Sequence, residues 1–132
     1  MHELTHVRLV AGLKKIGVHL SQAIPGKQTM TLHWHEIDEE AFYIVSGRGL
    51  LLIKETADSE VEEHTVEAGD FIGFPATPCK ARAFKGIDGE TLTYICVGTR
   101  APVDVCHYPE YKTTLIENRE KTRDDPNYAR WF

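Results

Sequence analysis

His33-Trp34-His35-Glu36-Ile37-Asp38-Glu39-Glu40 is the stretch on which the reading of this chain turns. Side chains alternate across a β-strand, so residues two apart face the same way. His33 and His35 therefore present both imidazoles to one side, and a carboxylate just past the following turn joins them from the next strand. Two imidazoles and one carboxylate form a donor set for a divalent cation.

Outward from that stretch the chain is a series of short alternating segments punctuated by Gly, Pro and Asp. Ile16, Val18 and Leu20 alternate with Gly17 and His19 before the turn Ile24-Pro25-Gly26. Residues 29–35 read as a strand, with Thr29, Thr31, His33 and His35 on one face and Met30, Leu32 and Trp34 on the other. Residues 40–46 and 50–54 flank the turn Gly47-Arg48-Gly49, and further strands are expected at 61–66, 71–74, 81–84 and 91–97. Roughly nine strands at this spacing predict an all-β sandwich or barrel.

At 132 residues the chain is one domain's worth, large enough to bury a core without disulfide staples. Cys79, Cys96 and Cys106 are an odd number with no C-x-x-C spacing, and they read as reduced thiols of an intracellular protein. The start lacks a basic segment followed by an apolar run, and no stretch is apolar enough to span a bilayer, so a cytoplasmic protein with no membrane partner is expected. A net charge of -5 argues against nucleic acid as a partner.

Strand parity bears on assembly. If Glu40, Phe42 and Ile44 face inward with His33 and His35, then Ala41, Tyr43 and Val45 face outward, as do Met30, Leu32 and Trp34. Monomers seldom leave such apolar faces in water, so a second subunit, the C-terminal tail or both must cover them, and a homodimer is expected. Residues 117–125 are mostly charged, yet Tyr128, Trp131 and Phe132 put three aromatics in the last five residues, so the end is expected to dock.

With these residues in place the chain resembles the cupin superfamily, in particular its small single-domain members. The first cupin motif reads G-x5-H-x-H-x(3,4)-E-x6-G. Gly26 stands one residue too far from His33, and thereafter His33, His35, Glu40 and Gly47 fall at matching spacings. Glu39 fits the shorter spacing, but only Glu40 lies six residues from Gly47 and shares parity with Phe42 and Ile44. The second motif reads G-x5-P-x-G-x2-H-x3-N. Gly69 to Pro75 matches its first half, whereas Thr77, Lys80 and Phe84 stand at its glycine, histidine and asparagine. A turn two residues longer puts Arg82 at the histidine instead, and neither register supplies an imidazole.

The resemblance implies a jelly-roll β-barrel of two antiparallel sheets over residues 15–98, preceded by an arm, residues 1–14. A C-terminal extension, residues 99–132, would pack on the barrel or on a partner subunit. It also implies that His33, His35 and Glu40 are metal ligands, for iron, zinc, nickel or manganese, with the fourth ligand lost. A cation at that position repels a metal by about 4 kcal/mol per unit charge pair at about 4 Å. Arg82 could instead pair with Glu40 and leave the barrel metal-free, or Lys80 or Arg82 could grip a carboxylate or phosphate of a small-molecule substrate. Cys79 is a further candidate thiolate ligand. His2, His6, His19, His64 and His107 lack paired spacing and read as surface or hydrogen-bonded residues.

Three functions follow. One is a metal-dependent enzyme acting on a small oxygenated metabolite, with isomerases, decarboxylases and dioxygenases as the reaction types the resemblance implies. Another is a metal-free catalyst resembling cupin sugar epimerases, in which His33 or His35 removes a proton beside a carbonyl and Arg82 or Lys80 stabilises the enolate. The third is a binding module without turnover.

Overall fold

The structure is a computed structural model that describes residues 13–76, 78, 80–122 and 124–132, together with the backbone of 5–8. Cys79, Thr77, His2 and the His6 side chain lie outside the described residues. Twelve strands follow in order: β1 Thr5–Arg8, β2 Ile16–Ala23, β3 Trp34–His35, β4 Glu40–Ser46, β5 Arg48–Lys54 and β6 Val61–Glu67. Then come β7 Phe71–Phe74, β8 Ala81–Gly86, β9 Leu92–Thr99, β10 Val103–Tyr108, β11 Thr113–Asn118 and β12 Ala129–Trp131. A single 3-10 turn, Pro109–Tyr111, is the one helical element among the described residues.

The architecture is an all-β jelly roll. A five-stranded antiparallel sheet, β1-β2-β9-β4-β7, faces a three-stranded sheet, β6-β5-β8. Their inner faces meet in one apolar core of Phe42, Ile44, Leu51, Val66, Phe74, Phe84, Leu92 and Tyr94. Residues 42–45 of β4 alternate: Phe42 and Ile44 are buried while Tyr43 and Val45 are exposed. Aromatic rings brace the centre, with Phe42 and Phe84 meeting edge to face at 4.9 Å and Phe84 lying 4.6 Å from Tyr94. The hairpin turn between β4 and β5 demands glycine for two reasons. Gly47 has φ +80°, and a Cβ there would sit 2.0 Å from the Thr91 carbonyl oxygen.

Two expectations change. Residues 29–35 do not form a continuous strand. Only Trp34 and His35 pair regularly, and the segment before them runs along β8 through isolated bridges at Gln28–Lys85 and His33–Arg82. Leu32 is consequently buried beside Leu52, Ala81 and Ala83, with Met30 and Trp34 packed around them, so this apolar group is covered within the chain.

The last thirty residues are also more than a tail. Strands β10, β11 and β12 join β3 in a third sheet, ordered β12-β11-β10-β3, beyond the two expected. At the chain's end Phe132 exchanges backbone hydrogen bonds with Thr114 at 2.7 Å and Trp131 lies 5.4 Å from the Tyr108 ring, while both aromatic side chains stay exposed, at 67% and 60%. Pairing of β3 with β10, Cys106 opposite His35, brings this extension against the two-histidine segment.

Candidate functional site

Three elements place the site. His33 reaches it through its bridge to β8, where its N–H donates to the Arg82 carbonyl at 3.4 Å and its own carbonyl accepts from the Arg82 N–H at 3.0 Å. His35 comes from β3, and Glu40 opens β4 after the turn at 36–39. All three side chains converge as their spacing requires. His35 Nε2 lies 2.9 Å and His33 Nε2 3.8 Å from the same oxygen, Glu40 Oε1.

Of the two cations read from the second motif, the structure brings one here. Arg82 Nη2 donates to Glu40 Oε1 at 2.5 Å, and its guanidinium lies 4.7 Å from the centre of the Phe74 ring. The side chain is only 2% exposed, and its Nε has no hydrogen-bond partner among the described residues. Lys80 stands apart, with a 41% exposed side chain paired to Glu55 at 3.7 Å. Alternation would put two residues this far apart on one face, but Lys80 precedes the first residue of β8, Ala81, and does not follow the strand's parity.

The extension supplies groups that the sequence reading missed. Asp104 on β10 accepts from His35 Nδ1 at 2.6 Å and from the backbone N–H groups of Ile37 and Asp38. Asp38, buried in the turn, binds Arg119 Nη1 at 2.5 Å and accepts from the Ala101 N–H and the Thr99 hydroxyl. Arg119 thus clamps the turn to the extension. Cys96 donates its S–H to Glu40 Oε2 at 3.4 Å. A period-two signal was present, since Asp104, Cys106 and Tyr108 share one face of a strand. Its target, seventy residues upstream, was not.

His35 is held between two carboxylates, one at each ring nitrogen. Burial alone would push its pKa down, but the hydrogen bonds it donates to Asp104 and Glu40 and the Glu40 charge raise it to about 9. Burial likewise pushes Glu40 up, yet the hydrogen bonds from His33 and His35 and the charges of His35 and Arg82 hold it well below the usual carboxylate range. Asp104 shows the same contest: burial raises it, and His35 with the Asp38 and Ile37 N–H groups bring it down to about 2. Burial raises both nearby thiols, Cys106 to about 12 and Cys96 further. Around these groups lies a cavity of about 350 Å³ lined by His19, Met30, His33, His35, Tyr94 and Cys96, among others.

Two sets of groups bring metal-ligating atoms within 4.8 Å of one another among the described residues: His33, His35 and Cys106, and His35, Asp38 and Asp104. His33 Nδ1 meets the Thr31 carbonyl at 2.8 Å and His35 Nδ1 meets Asp104, the outer hydrogen bonds that metal-bound imidazoles make. These features suit a cation. Arg82 does not, because its charge already occupies the Glu40 oxygen towards which both imidazoles turn.

A small antiparallel barrel with a polar cup of histidine, carboxylate and arginine defines the class. The sequence profile of the cupin domain matches residues 20–98, and the chain belongs to the cupin superfamily. It is 34% identical over 122 residues to an uncharacterised protein of Methanocaldococcus jannaschii, covering 89% of this chain and 81% of that one. Among solved structures it is similar to a candidate sugar phosphate isomerase of Acidithiobacillus ferrooxidans, at 30% identity and TM-score 0.75, over 92% of this chain and 69% of that one. A sugar phosphate isomerase of Silicibacter pomeroyi shares the fold with TM-score 0.81 at 23% identity, over 98% of this chain and 75% of the other.

Proposed function

We propose that this protein is an acid–base catalyst of the sugar-phosphate isomerase type that works without a metal. The observation that carries this reading is the Arg82 guanidinium, buried and bonded to Glu40 where a metal would compete for the same oxygen. His33 is the base. Its Nδ1 faces a carbonyl, which only accepts, so the neutral ring that acts as base holds its proton on Nδ1 and turns the Nε2 lone pair to the substrate in place of a hydrogen bond to Glu40. His35, with a carboxylate at each ring nitrogen, is an imidazolium whose positive charge lies beside the substrate oxygen. Removal of a proton beside a carbonyl places negative charge on that oxygen, which His35 and Arg82 stabilise. The neighbouring hydroxyl passes its proton to that oxygen and becomes the new carbonyl, and return of the first proton from His33 to the former carbonyl carbon completes the isomerisation. The kinship with the Acidithiobacillus protein supports the substrate class.

The test is solvent exchange. Chelator-treated protein in D2O should incorporate deuterium beside the carbonyl of a sugar phosphate, read by proton NMR across aldose and ketose phosphates. Activity that disappears on chelation and returns with metal would overturn the metal-free reading. A second reading, a metal centre on His33 and His35 with Glu40 or Cys106, is favoured by the outer hydrogen bonds on both Nδ1 atoms. It requires about one equivalent of iron, zinc, nickel or manganese per chain in protein purified without chelator.

The assembly we propose is a homodimer through the outer face of the five-stranded sheet. Strand pairing aligns Tyr43 with Phe71 and Ile95, and Ala41 with Val97 and Val18, as two adjacent apolar rows. Phe71 is 71% exposed, and the C-terminal extension forms its sheet with β3 rather than with the strands around Phe71. Phe71→Glu together with Val97→Glu should halve the mass measured by light scattering. A monomeric parent protein would remove the idea.

A further inference from the structure

Beside the cup lies a groove of about 880 Å³ lined by Leu13, Lys14, Lys15, Arg100, Pro102, Arg119 and Glu120. Four cations against one carboxylate is an unusual local balance in a chain whose net charge is -5. Arg119 is committed to Asp38. Lys14, Lys15 and Arg100 form no ion pair among the described residues, so their charge is available to a ligand. The fold holds two of them together: the Arg100 N–H donates to the Lys15 carbonyl at 2.8 Å, where β2 begins and β9 ends. The Arg100 side chain lies across Gly17, whose missing Cβ would sit 3.5 Å from Arg100 Cδ.

Arg100 and Arg119 also line a smaller pocket of about 110 Å³ that includes His35, Asp38 and Glu40. That pocket in turn shares His19, His35, Glu40 and Cys96 with the cavity at the cup. The lining is therefore continuous from the basic groove to the acid–base groups. We infer that Lys14, Lys15 and Arg100 form the docking site for a phosphate monoester dianion, whose sugar portion extends past Arg119 towards His35 and Glu40. Cations grouped around one groove suit a doubly charged, oxygen-rich group, and an arginine adds the planar donor fork that phosphate oxygens accept. The substrate chemistry rests on the acid–base reading of the cup, whereas the anion site stands on the groove itself.

The test separates the two. Titration calorimetry with inorganic phosphate and with glycerol 3-phosphate at low ionic strength should show binding that glycerol does not. The Lys14→Ala, Lys15→Ala, Arg100→Ala triple variant should weaken it by about tenfold or more, because charge-assisted hydrogen bonds are lost. Glu120→Gln, which removes the groove's one carboxylate without touching the cations, should tighten it. Added salt should weaken binding to the parent protein more than to the triple variant. Phosphate binding with these dependences supports the site even if no sugar phosphate exchanges deuterium, a result that would overturn only the acid–base reading. Absence of phosphate binding, or equal binding by the parent and triple variant, overturns the site, whatever the cup is found to catalyse.

Discussion

Arg82→Met should lose about 3 kcal/mol of stability and most of the deuterium-exchange activity, and it should acquire a metal. Methionine fills much of the space but leaves the Glu40 carboxylate, which sits at 17% exposure, with one cationic partner instead of two. Removing one member of a buried ion pair commonly costs 3–5 kcal/mol, and the lower end applies because His35 still donates to Glu40 at 2.9 Å. The activity falls because the enolate oxygen loses a fixed positive neighbour. Denaturant melts should show the loss. In the double variant Arg82→Met, Glu40→Gln, part of the stability should return, because the stranded charge is gone.

The metal arm of the same experiment is the sharper one. With the guanidinium gone, His33 Nε2, His35 Nε2 and Glu40 Oε1 have the two-histidine, one-carboxylate donor set, and both imidazoles already carry an outer hydrogen bond on Nδ1. Arg82→Met should therefore bind close to one equivalent of zinc or nickel by elemental analysis, where the parent binds a small fraction. Equal metal in the two proteins would mean that Arg82 does not control the site, and the metal-free reading would fall with it.

How much of this was written in the sequence depends on how far apart the cooperating residues lie. His33, His35 and Glu40 sit within eight residues, and strand parity alone brings them together. Inward-facing Phe42 and Ile44 were equally legible from alternation. Arg82 against Lys80 was a question of how the chain turns between Pro75 and Ala81, and spacing left both registers open. The same difficulty hid the break in the 29–35 segment. Its alternation promised a regular strand, but pairing with β8 is confined to bridges, and Leu32 found its cover beside Leu52 and Ala83. Asp38 and Arg119 are eighty-one residues apart and Asp104 and His35 sixty-nine. Neither residue alone carries a signal, since an acid in a turn and an arginine in a charged extension are ordinary surface residues until the fold buries them together.

Asp104 carries the second large expectation, and it ties the extension to the chemistry. Asp104→Asn keeps the size of the side chain and the oxygen that accepts from the Ile37 and Asp38 N–H groups, while it removes the charge and puts an amide NH2 where Oδ2 accepts from His35 Nδ1. His35 then has one carboxylate neighbour instead of two, so its cationic form loses the support that balances burial. A neutral ring accepts from the Asn amide at Nδ1 and keeps its Nε2 proton for Glu40, so the positive charge beside the substrate oxygen disappears. We expect kcat to fall by about 10² to 10⁴-fold, by analogy with carboxylates that orient catalytic imidazoles, with little change in KM. Folding should survive at a cost of about 1–3 kcal/mol, because the Ile37 and Asp38 N–H groups keep an acceptor. The His35 ring, followed by nitrogen NMR, should lose its cationic signature near neutral pH in the variant and retain it in the parent. A variant with parental kcat would leave Asp104 as a structural clamp for the 36–39 turn. A fall in kcat accompanied by the change in His35 would make a residue outside the cupin motifs part of the machinery that moves the proton.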